Sequence, residues 1–144
     1  MVDYINNQKP SSVLDVGCGY NRFKGKINNL IGIDPYNDAA DIKVSIEDYN
    51  TVPYDMALCL GSINFGDEGT IDKQIDKLHT LWRREVIFRV NPGIPHKGVE
   101  GIVWYPWTQK KIYDIAKKYN YIVKDMKIEH TDKNELRYFF IYTK

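Results

Sequence analysis

The sequence predicts an α/β fold with a mainly parallel central sheet, minimal helices and an antiparallel β-hairpin at its C-terminal end. Two observations support this prediction. Short apolar runs without alternation recur along the chain, which is typical of strands covered on both faces. Helical segments separate the later runs, and a turn joins the last two β-rich segments. With 144 residues, the chain is expected to form a single domain with its own core.

Five apolar runs are predicted to be strands. Ser12–Val16 leads into a glycine turn, and Leu30–Ile33 is closed by an Asp-Pro pair. Three further strands are expected over Asp41–Ile46, Asp55–Leu60 and Glu85–Val90. The third is the weakest, because the connection before it is shorter than the roughly dozen residues of a parallel crossover. Either the helix there is absent or this strand is misplaced.

Two helices and a hairpin follow from spacing and turn residues. The first helix, capped by Asp67 or Thr70, carries its apolar face on Ile71, Ile75, Leu78 and Trp82. The second begins after Thr108 and directs inward Ile112, Ile115 and Ala116. The hairpin is predicted to pair Tyr121–Glu129 with Leu136–Tyr142.

Composition and charge exclude several classes of function. A formal net charge of +1 disfavours general binding to nucleic acid, which needs a surplus of cations. Cys18 and Cys59 lack the spacing of metal ligands, so no metal site is predicted and both are interpreted as reduced thiols. The polar segment Met1–Lys9 does not resemble a signal peptide, and no apolar run is long enough to span a membrane. We therefore expect a cytoplasmic protein.

The most informative motif is Asp15–Asn21, directly after the first predicted strand. Gly17 and Gly19 have no Cβ, so the backbone can turn sharply and approach a ligand closely. Asn21 tolerates a left-handed conformation. Asp34, at the end of the next strand, can accept both hydroxyl hydrogens of a ribose. Because open α/β sheets bind ligands at the carboxyl ends of their strands, this pattern predicts a nucleoside site.

Two residues distinguish between the nucleosides that this layout could bind. A dinucleotide fingerprint requires GxGxxG, and Arg22 stands where the third glycine belongs. Asp15, two residues before the first glycine, suits a ligand with a free ammonium group. The methionine part of S-adenosylmethionine has such a group, whereas a pyrophosphate does not. The pattern therefore favours S-adenosylmethionine over NAD or FAD.

These segments resemble a known family. Val13–Gly19 looks like motif I of class I S-adenosylmethionine-dependent methyltransferases, which have a Rossmann-like fold. Ile31–Pro35 resembles the family's second-strand motif, whose acid binds the ribose, and Ser45–Asp48 lies where the family holds adenine. The resemblance implies that the cofactor is bound by Asp15, Gly17, Gly19, Asp34, Pro35, Ile46, Glu47, Leu60 and Gly61.

Each of these residues also has a structural interpretation. Gly17 and Gly19 fit an ordinary turn, and Asp15 fits a cap on a local backbone group. Asp34 could simply end a strand, and Glu47 could be a solvated acid of a loop.

Residues for a methyl acceptor are expected in the segment from Ile94 to Trp107, since functional residues gather on loops at this edge of the sheet. The candidates, with Asn64 from the preceding loop, are His96, Trp104, Tyr105 and Trp107. His96 is the best candidate for a general base in catalysis. Alternatively, the aromatic side chains only attach the loop to the core.

The function predicted from the sequence is that of a methyltransferase with an unknown acceptor, a small molecule or a protein being favoured. One alternative is a non-catalytic module that binds S-adenosylmethionine or S-adenosylhomocysteine, perhaps as a partner subunit. Others are an NAD-dependent oxidoreductase and an enzyme that cleaves S-adenosylmethionine. Fold alone does not rank these functions, because activity depends on the site.

Overall fold

The computed structural model describes residues 1–93 and 103–144, and these residues build one six-stranded sheet. The strands, in chain order, are β1 (Val13–Val16), β2 (Leu30–Ile33), β3 (Tyr54–Leu60), β4 (Trp82–Val90), β5 (Ile122–His130) and β6 (Leu136–Thr143). Their order in the sheet is β2-β1-β3-β4-β6-β5. The first four strands are parallel, and β6 runs antiparallel between β4 and β5. The predicted parallel sheet and its C-terminal hairpin are therefore confirmed.

Three helices lie in the described part of the chain. They are α1 (Val2–Asn7), α2 (Glu68–His79) and α3 (Gln109–Tyr119). The side chain of Asp67 caps α2 by accepting from the amide of Thr70, and Thr108 caps α3 in the same way. The sequence analysis missed α1, because the N-terminal segment is short and polar. None of these helices is long and apolar enough to cross a lipid bilayer.

Two predicted elements are wrong. The strand expected over Asp41–Ile46 does not form, and this segment contributes one isolated bridge, Ile33 to Ile42, followed by a 3₁₀ turn over Ile46–Asp48. The strand is missing because the connection after β2 is too short to return the chain to the start of another parallel strand. Trp82 begins β4 instead of continuing the helix that ends at His79.

The sheet buries a different cluster on each face. Helices α2 and α3 cover the first face through Ile71, Ile75 and Ile112, which pack on strand residues such as Leu14 and Phe88. The second face carries a smaller cluster that includes Val13, Met56, Leu58, Ile87 and, from α1, Ile5. We call it the α1 face. Because no α-helix among the described residues connects β1 to β2, or β2 to β3, this face is covered less completely.

Glu85 anchors α1 to the sheet. Its carboxylate accepts hydrogen bonds from the Tyr4 hydroxyl, at 2.6 Å, and from the Gln8 amide, at 3.0 Å. Helix α1 therefore lies over the amino-terminal half of β4. The carboxyl ends of β1 to β4 meet at the opposite edge of the sheet, where ligands bind in folds of this type.

The cap of α3 can be tested by mutation. Thr108→Ala removes the oxygen that accepts from the amide of Lys111, so we expect the free energy of unfolding to fall by about 1 kcal/mol. Thr108→Ser keeps the acceptor and is expected to stay near the wild-type value. Urea denaturation of the three proteins measures the difference. Equal losses in both variants would contradict a role for the hydroxyl group.

Candidate functional site

The glycine turn after β1 packs directly against the turn after β3. Gly17 has a φ of 66°, and a Cβ atom there would lie 2.4 Å from the Cβ of Ser62. Only glycine satisfies both the backbone angle and this contact. Gly19 has a φ of 55°, but a Cβ on it would meet no atom within 4 Å. Gly17 is thus required for packing, whereas Gly19 faces open space that a ligand could occupy.

A glycine of β2 forms the floor of the same turn. A Cβ on Gly32 would lie 2.5 Å from the side-chain oxygen of Asn21 and 2.8 Å from the sulfur of Cys18. Asn21 has a φ of 58°, as its tolerance of the left-handed conformation predicts. Its side-chain nitrogen, Nδ2, donates to the carbonyl of Ala39 at 3.1 Å. The turn therefore rests on β2 and is also tied to the loop that follows β2.

Asp34, the predicted ribose ligand, already holds three backbone groups. One oxygen accepts from the amides of Tyr36 and Asn37, both at 2.9 Å, and the other accepts from the amide of Gly19 at 3.1 Å. Burial acts to raise the pKa of this carboxyl, but the three N–H bonds outweigh it and hold the pKa below its ordinary value.

This bonding limits what Asp34 can do for a ribose. A carboxylate has about four acceptor positions, and three are in use. One ribose hydroxyl can therefore bind without any change in the loop, whereas a second hydroxyl would have to displace a backbone amide. Asp34 can therefore serve both purposes, because the side chain that ends the strand also keeps one acceptor position open for the ribose.

Asp41 is a residue of the site that the sequence analysis missed. One carboxylate oxygen accepts from the amide of Gly32 at 2.8 Å and from the side chain of Asn21 at 3.2 Å. The other lies 2.9 Å from the ammonium of Lys24. Asp41 thus joins β2, the glycine turn and the following loop. No sequence motif indicated this role, because Asp41 meets Gly32, Lys24 and Asn21 only in the folded chain.

Asp15 is the most unusual group at this edge. It lies near the carboxyl end of β1 on the α1 face and is only 4% exposed. No group in the described ranges 1–93 and 103–144 donates a hydrogen bond to its carboxylate. Burial raises its pKa from 3.8 to about 7. The alternative interpretation of Asp15 as a cap on a neighbouring backbone group therefore has no hydrogen bond to support it in the described part of the chain.

The field around the glycine turn is negative. The pKa of Cys18 is raised to about 11, first by burial and then by the nearby carboxylates of Asp15, Asp34 and Asp41. The ammonium of Lys24 pairs with one of these three acids. A cationic ligand would be stabilised beside this turn, whereas an anionic one would be repelled.

The predicted adenine and methionine residues lie around the same edge. Ile46 is buried in the cluster beneath α2, and the exposed Glu47 accepts from the side chain of Gln74 at 2.9 Å. Leu60 ends β3 on the α1 face, and Gly61, with a φ of 91°, donates its amide to the carbonyl of Arg89 at 2.9 Å. Pro35 is exposed at the start of the loop after β2.

Two buried asparagines join the ends of β3 and β4. The side-chain oxygen of Asn64 accepts from the amide of Asn91 at 3.0 Å, and both residues are 3% exposed. The carbonyl of Asn64 also accepts from the amide of Tyr105 at 2.7 Å. Asn64 therefore positions the segment that returns from the loop after β4. Asn91 is a second positioning residue that the sequence analysis did not identify.

The aromatic candidates for the acceptor make structural contacts. Trp107 has no exposed surface and donates its indole N–H to the carbonyl of Ile63 at 2.8 Å. The buried Tyr105 donates its hydroxyl to Glu68 of α2, and Trp104 packs against the ring of Phe65. For Trp107 and Tyr105, these contacts match attachment of the loop to the core. His96 lies outside the described residues.

The buried carboxylate makes stability depend on pH. Because the pKa of Asp15 is about 7 when folded and 3.8 in its ordinary state, the folded protein holds an extra proton between these values. Stability is therefore lost as the pH rises through this window. We expect Asp15→Asn to raise the free energy of unfolding by roughly 2–4 kcal/mol at pH 8, and by little at pH 4.

Urea denaturation at both pH values measures this difference. Asp38→Asn, in an exposed loop position, serves as the control and should change stability equally at the two pH values. A gain for Asp15→Asn that does not depend on pH would contradict ionisation of the buried carboxyl as its cause.

Comparison with known proteins identifies the fold. No family model matches the sequence, and no curated protein sequence matches it. Solved structures do. A 1,6-didemethyltoxoflavin-N1-methyltransferase from Burkholderia thailandensis, with bound S-adenosylhomocysteine, has a TM-score of 0.76 at 14% identity over 99% of this chain and 76% of its own.

Two further solved structures agree with this result. A magnesium protoporphyrin IX methyltransferase from Synechocystis, also with S-adenosylhomocysteine, has a TM-score of 0.76 at 14% identity, over 99% of this chain and 80% of its own. An S-adenosylmethionine-dependent methyltransferase from Mesorhizobium loti has a TM-score of 0.69 at 10% identity, over 100% of this chain and 98% of its own. The chain therefore has the Rossmann-like fold of these S-adenosylmethionine-dependent methyltransferases.

Proposed function

We propose that residues 1–144 form one domain that binds S-adenosylmethionine and transfers its methyl group to an acceptor. The observation that carries this proposal is the Asp15 carboxylate, which is buried beside the glycine turn without a hydrogen-bond donor from the described residues. A carboxylate that is largely removed from water and has no donor among the described residues is costly, and such groups concentrate at functional sites. The ammonium group of a bound methionine moiety would supply the missing partner.

The sign of the local charge supports S-adenosylmethionine over a dinucleotide. S-adenosylmethionine carries a sulfonium and an ammonium against one carboxylate, so its net charge is positive. NAD would bring a doubly anionic pyrophosphate next to Asp15, Asp34 and Asp41, which together raise the pKa of Cys18. Repulsion at this short range disfavours the oxidoreductase alternative.

The residues present fit the parts of the cofactor in order along the sheet edge. We place the methionine moiety at Asp15, beside the turn formed by Leu60 and Gly61, where the backbone of Gly19 leaves open space. One acceptor position of Asp34 remains for the ribose. The adenine would then lie towards Ile46 and Glu47, and Pro35 would border the ribose.

The proposed chemistry is a displacement at the methyl carbon. The bond from sulfur to the methyl group breaks with its electron pair staying on sulfur, which yields S-adenosylhomocysteine. A lone pair of the acceptor forms the new bond, and any proton on the attacking atom passes to water or to a base. His96 remains our candidate for that base. Holding the two reactants in line supplies much of the rate enhancement.

The solved neighbours act on acceptors of different chemistry, which include small RNA, so a small-molecule acceptor is our proposal for this chain. By their names, one acts on 1,6-didemethyltoxoflavin and another on magnesium protoporphyrin IX. For this chain we propose that Asn64 and the segment Trp104–Trp107 serve the acceptor site indirectly, by positioning the loop after β4. Trp104 packs against Phe65 beside this segment.

A non-catalytic binding module is the second candidate function. The hydrogen bonds around Asp34 and Asp41 support a binding module as well as they support a methyltransferase, because they would hold a cofactor whether or not methyl transfer follows. Transfer of a labelled methyl group from S-adenosylmethionine to any extracted cellular fraction distinguishes the two. Release of a cleavage product of S-adenosylmethionine without methyl transfer would instead indicate an enzyme that cleaves the cofactor.

Cofactor binding can be tested directly by calorimetric titration with S-adenosylhomocysteine. We expect micromolar binding by the wild-type protein and loss of at least about tenfold in affinity in Asp34→Ala, which removes the remaining ribose acceptor. Asp38→Ala is the matched control, because Asp38 lies in the same loop and its one ion-pair partner among the described residues is Lys43 at the surface. A wild-type protein that does not bind the ligand would refute the proposal.

The pH dependence of binding tests the role of Asp15. The ligand ammonium needs an ionised carboxylate, and the free protein has a pKa of about 7 at this group. Affinity for S-adenosylhomocysteine is therefore expected to rise about tenfold from pH 6 to pH 8 as the proton leaves. Asp15→Asn should bind weakly and without this dependence. An identical pH profile in the variant would exclude Asp15 as the partner of the ammonium.

A further inference from the structure

A second concave site lies on the α1 face of the sheet, beside the proposed cofactor site. It is a cavity of about 520 Å³ over the carboxyl-terminal half of β4 and the adjoining parts of β5 and β6. The cavity is bounded on one side by Met1 and Tyr4 of the α1 region, and on the other by a bulge in β5 between Lys124 and Lys127. Its volume lies in the range that holds a small organic ligand.

The cavity adjoins the place assigned to the methionine moiety. Arg89, in its wall, is the register partner of Leu60 on the neighbouring strand, and its carbonyl accepts from the amide of Gly61. Leu60 and the wall residue Ile87 belong to the same cluster on the α1 face. Asp15 pairs in register with Leu58, and Leu58 with the wall residue Ile87, so Asp15 lies two strands, or about 10 Å, from Ile87. Arg89 lies two residues further along β4. A ligand in the cavity would therefore have one end close to the cofactor.

The walls combine an apolar floor with a cationic end. Phe139, which is 8% exposed, and the partly exposed Met126 from the bulge of β5 form the apolar surface, and Ile87 and Ile141 lie beneath it at 0% and 2% exposure. A thioether side chain adapts to the outline of a bound molecule. This floor would take the apolar body of a ligand and exclude water from it.

Arg89 and Lys127 supply the positive charge. Both pair with the carboxylate of Glu129. One of its oxygens lies 3.1 Å from the Nε of Arg89, and the other lies 3.8 Å from the ammonium of Lys127. Within the described ranges the two terminal guanidinium nitrogens of Arg89 have no hydrogen-bond partner. Asp125 is the other acid of the lining and lies exposed on the bulge. The lining side chains therefore carry two cations and two acids, and the positive groups lie where Arg89 and Lys127 flank Glu129.

We propose that this cavity binds the methyl acceptor, and that the acceptor is an apolar ring system bearing a carboxylate held by Arg89. The proposal rests on the proposed function for its assignment as an acceptor site. The free edge of the guanidinium matches the two oxygens of a carboxylate, and the apolar floor matches a ring system.

Nuclear magnetic resonance of the methionine methyl groups can test this site without an activity assay. The protein has three methionines, of which Met126 lines the cavity and Met56 is fully buried in the core. We expect 2-naphthoate to shift the methyl signal of Met126 in a saturable manner and to leave that of Met56 nearly unchanged. The uncharged 2-naphthamide should bind at least about tenfold more weakly.

Two variants on β4 distinguish the effect of the Arg89 charge on ligand binding from a general effect of substitution on the fold. Arg89→Gln should weaken 2-naphthoate binding about tenfold and leave 2-naphthamide and S-adenosylhomocysteine binding unchanged. Arg84→Gln, an exposed cation at the other end of β4, should change none of the three. Equal affinity for the acid and the amide, or no effect of Arg89→Gln, would overturn the proposal.

The remaining outcomes distinguish failure of this inference from failure of the proposed function. Binding of S-adenosylhomocysteine without any 2-naphthoate shift at Met126 would overturn the cavity assignment and leave the cofactor proposal standing. Displacement of 2-naphthoate by S-adenosylhomocysteine would assign the cavity to the cofactor instead. Binding of 2-naphthoate by a protein that does not bind S-adenosylhomocysteine would refute the acceptor role. A dimer in sedimentation that broadens the Met126 signal would assign the surface to a second copy.

Discussion

The close approach of the glycine turn to its two neighbouring strands is the constraint on which the rest of the site depends. Gly17 lies against Ser62 after β3, and Gly32 of β2 lies beneath Asn21, with no room for a Cβ at either glycine. Because both contacts are this tight, the turn cannot shift without moving two strands. The amide of Gly19 and the carboxylate of Asp34 are thereby held at hydrogen-bonding distance before any ligand arrives. Such preorganisation lowers the entropy cost of binding.

Polar bonds replace regular structure at this edge of the sheet. The chain between β2 and β3 forms no strand of its own and is held by carboxylates instead. Asp34 binds the start of this loop, and Asp41 returns its end to Gly32 and Asn21. Asp34 satisfies three backbone amides and Asp41 satisfies one, and a short loop without ladder partners requires such acceptors. The same acids create the negative field beside the turn, so the structural arrangement and the charge preference have one origin.

Stability and binding make opposite demands on β1. Val13 and Leu14 are fully buried and contribute to the core, whereas Asp15 in the same short strand is buried without a donor among the described residues. Burial of a carboxylate opposes folding above its raised pKa, and a cationic ligand would relieve that cost. On the α1 face, sparse helical cover leaves Arg89 and Met126 partly exposed at a cavity, whereas Ile87 and Ile141 stay buried. At both places, packing within the protein is incomplete and a bound ligand could supply the missing contacts.

The sequence by itself determined the elements whose signals are local. Unbroken apolar runs located β1, β2, β3 and β4, and the spacing of Ile71, Ile75 and Leu78 located α2. The glycine motif with Asp34 indicated the ligand edge, because strand, turn and acid are close together in the chain. Tertiary structure decided what depends on partners elsewhere in the chain: the role of Asp41, the bond from the Gly19 amide to Asp34 and the burial of Trp107. These depend on contacts between residues that only the folded sheet brings together, and no periodicity along the chain records them.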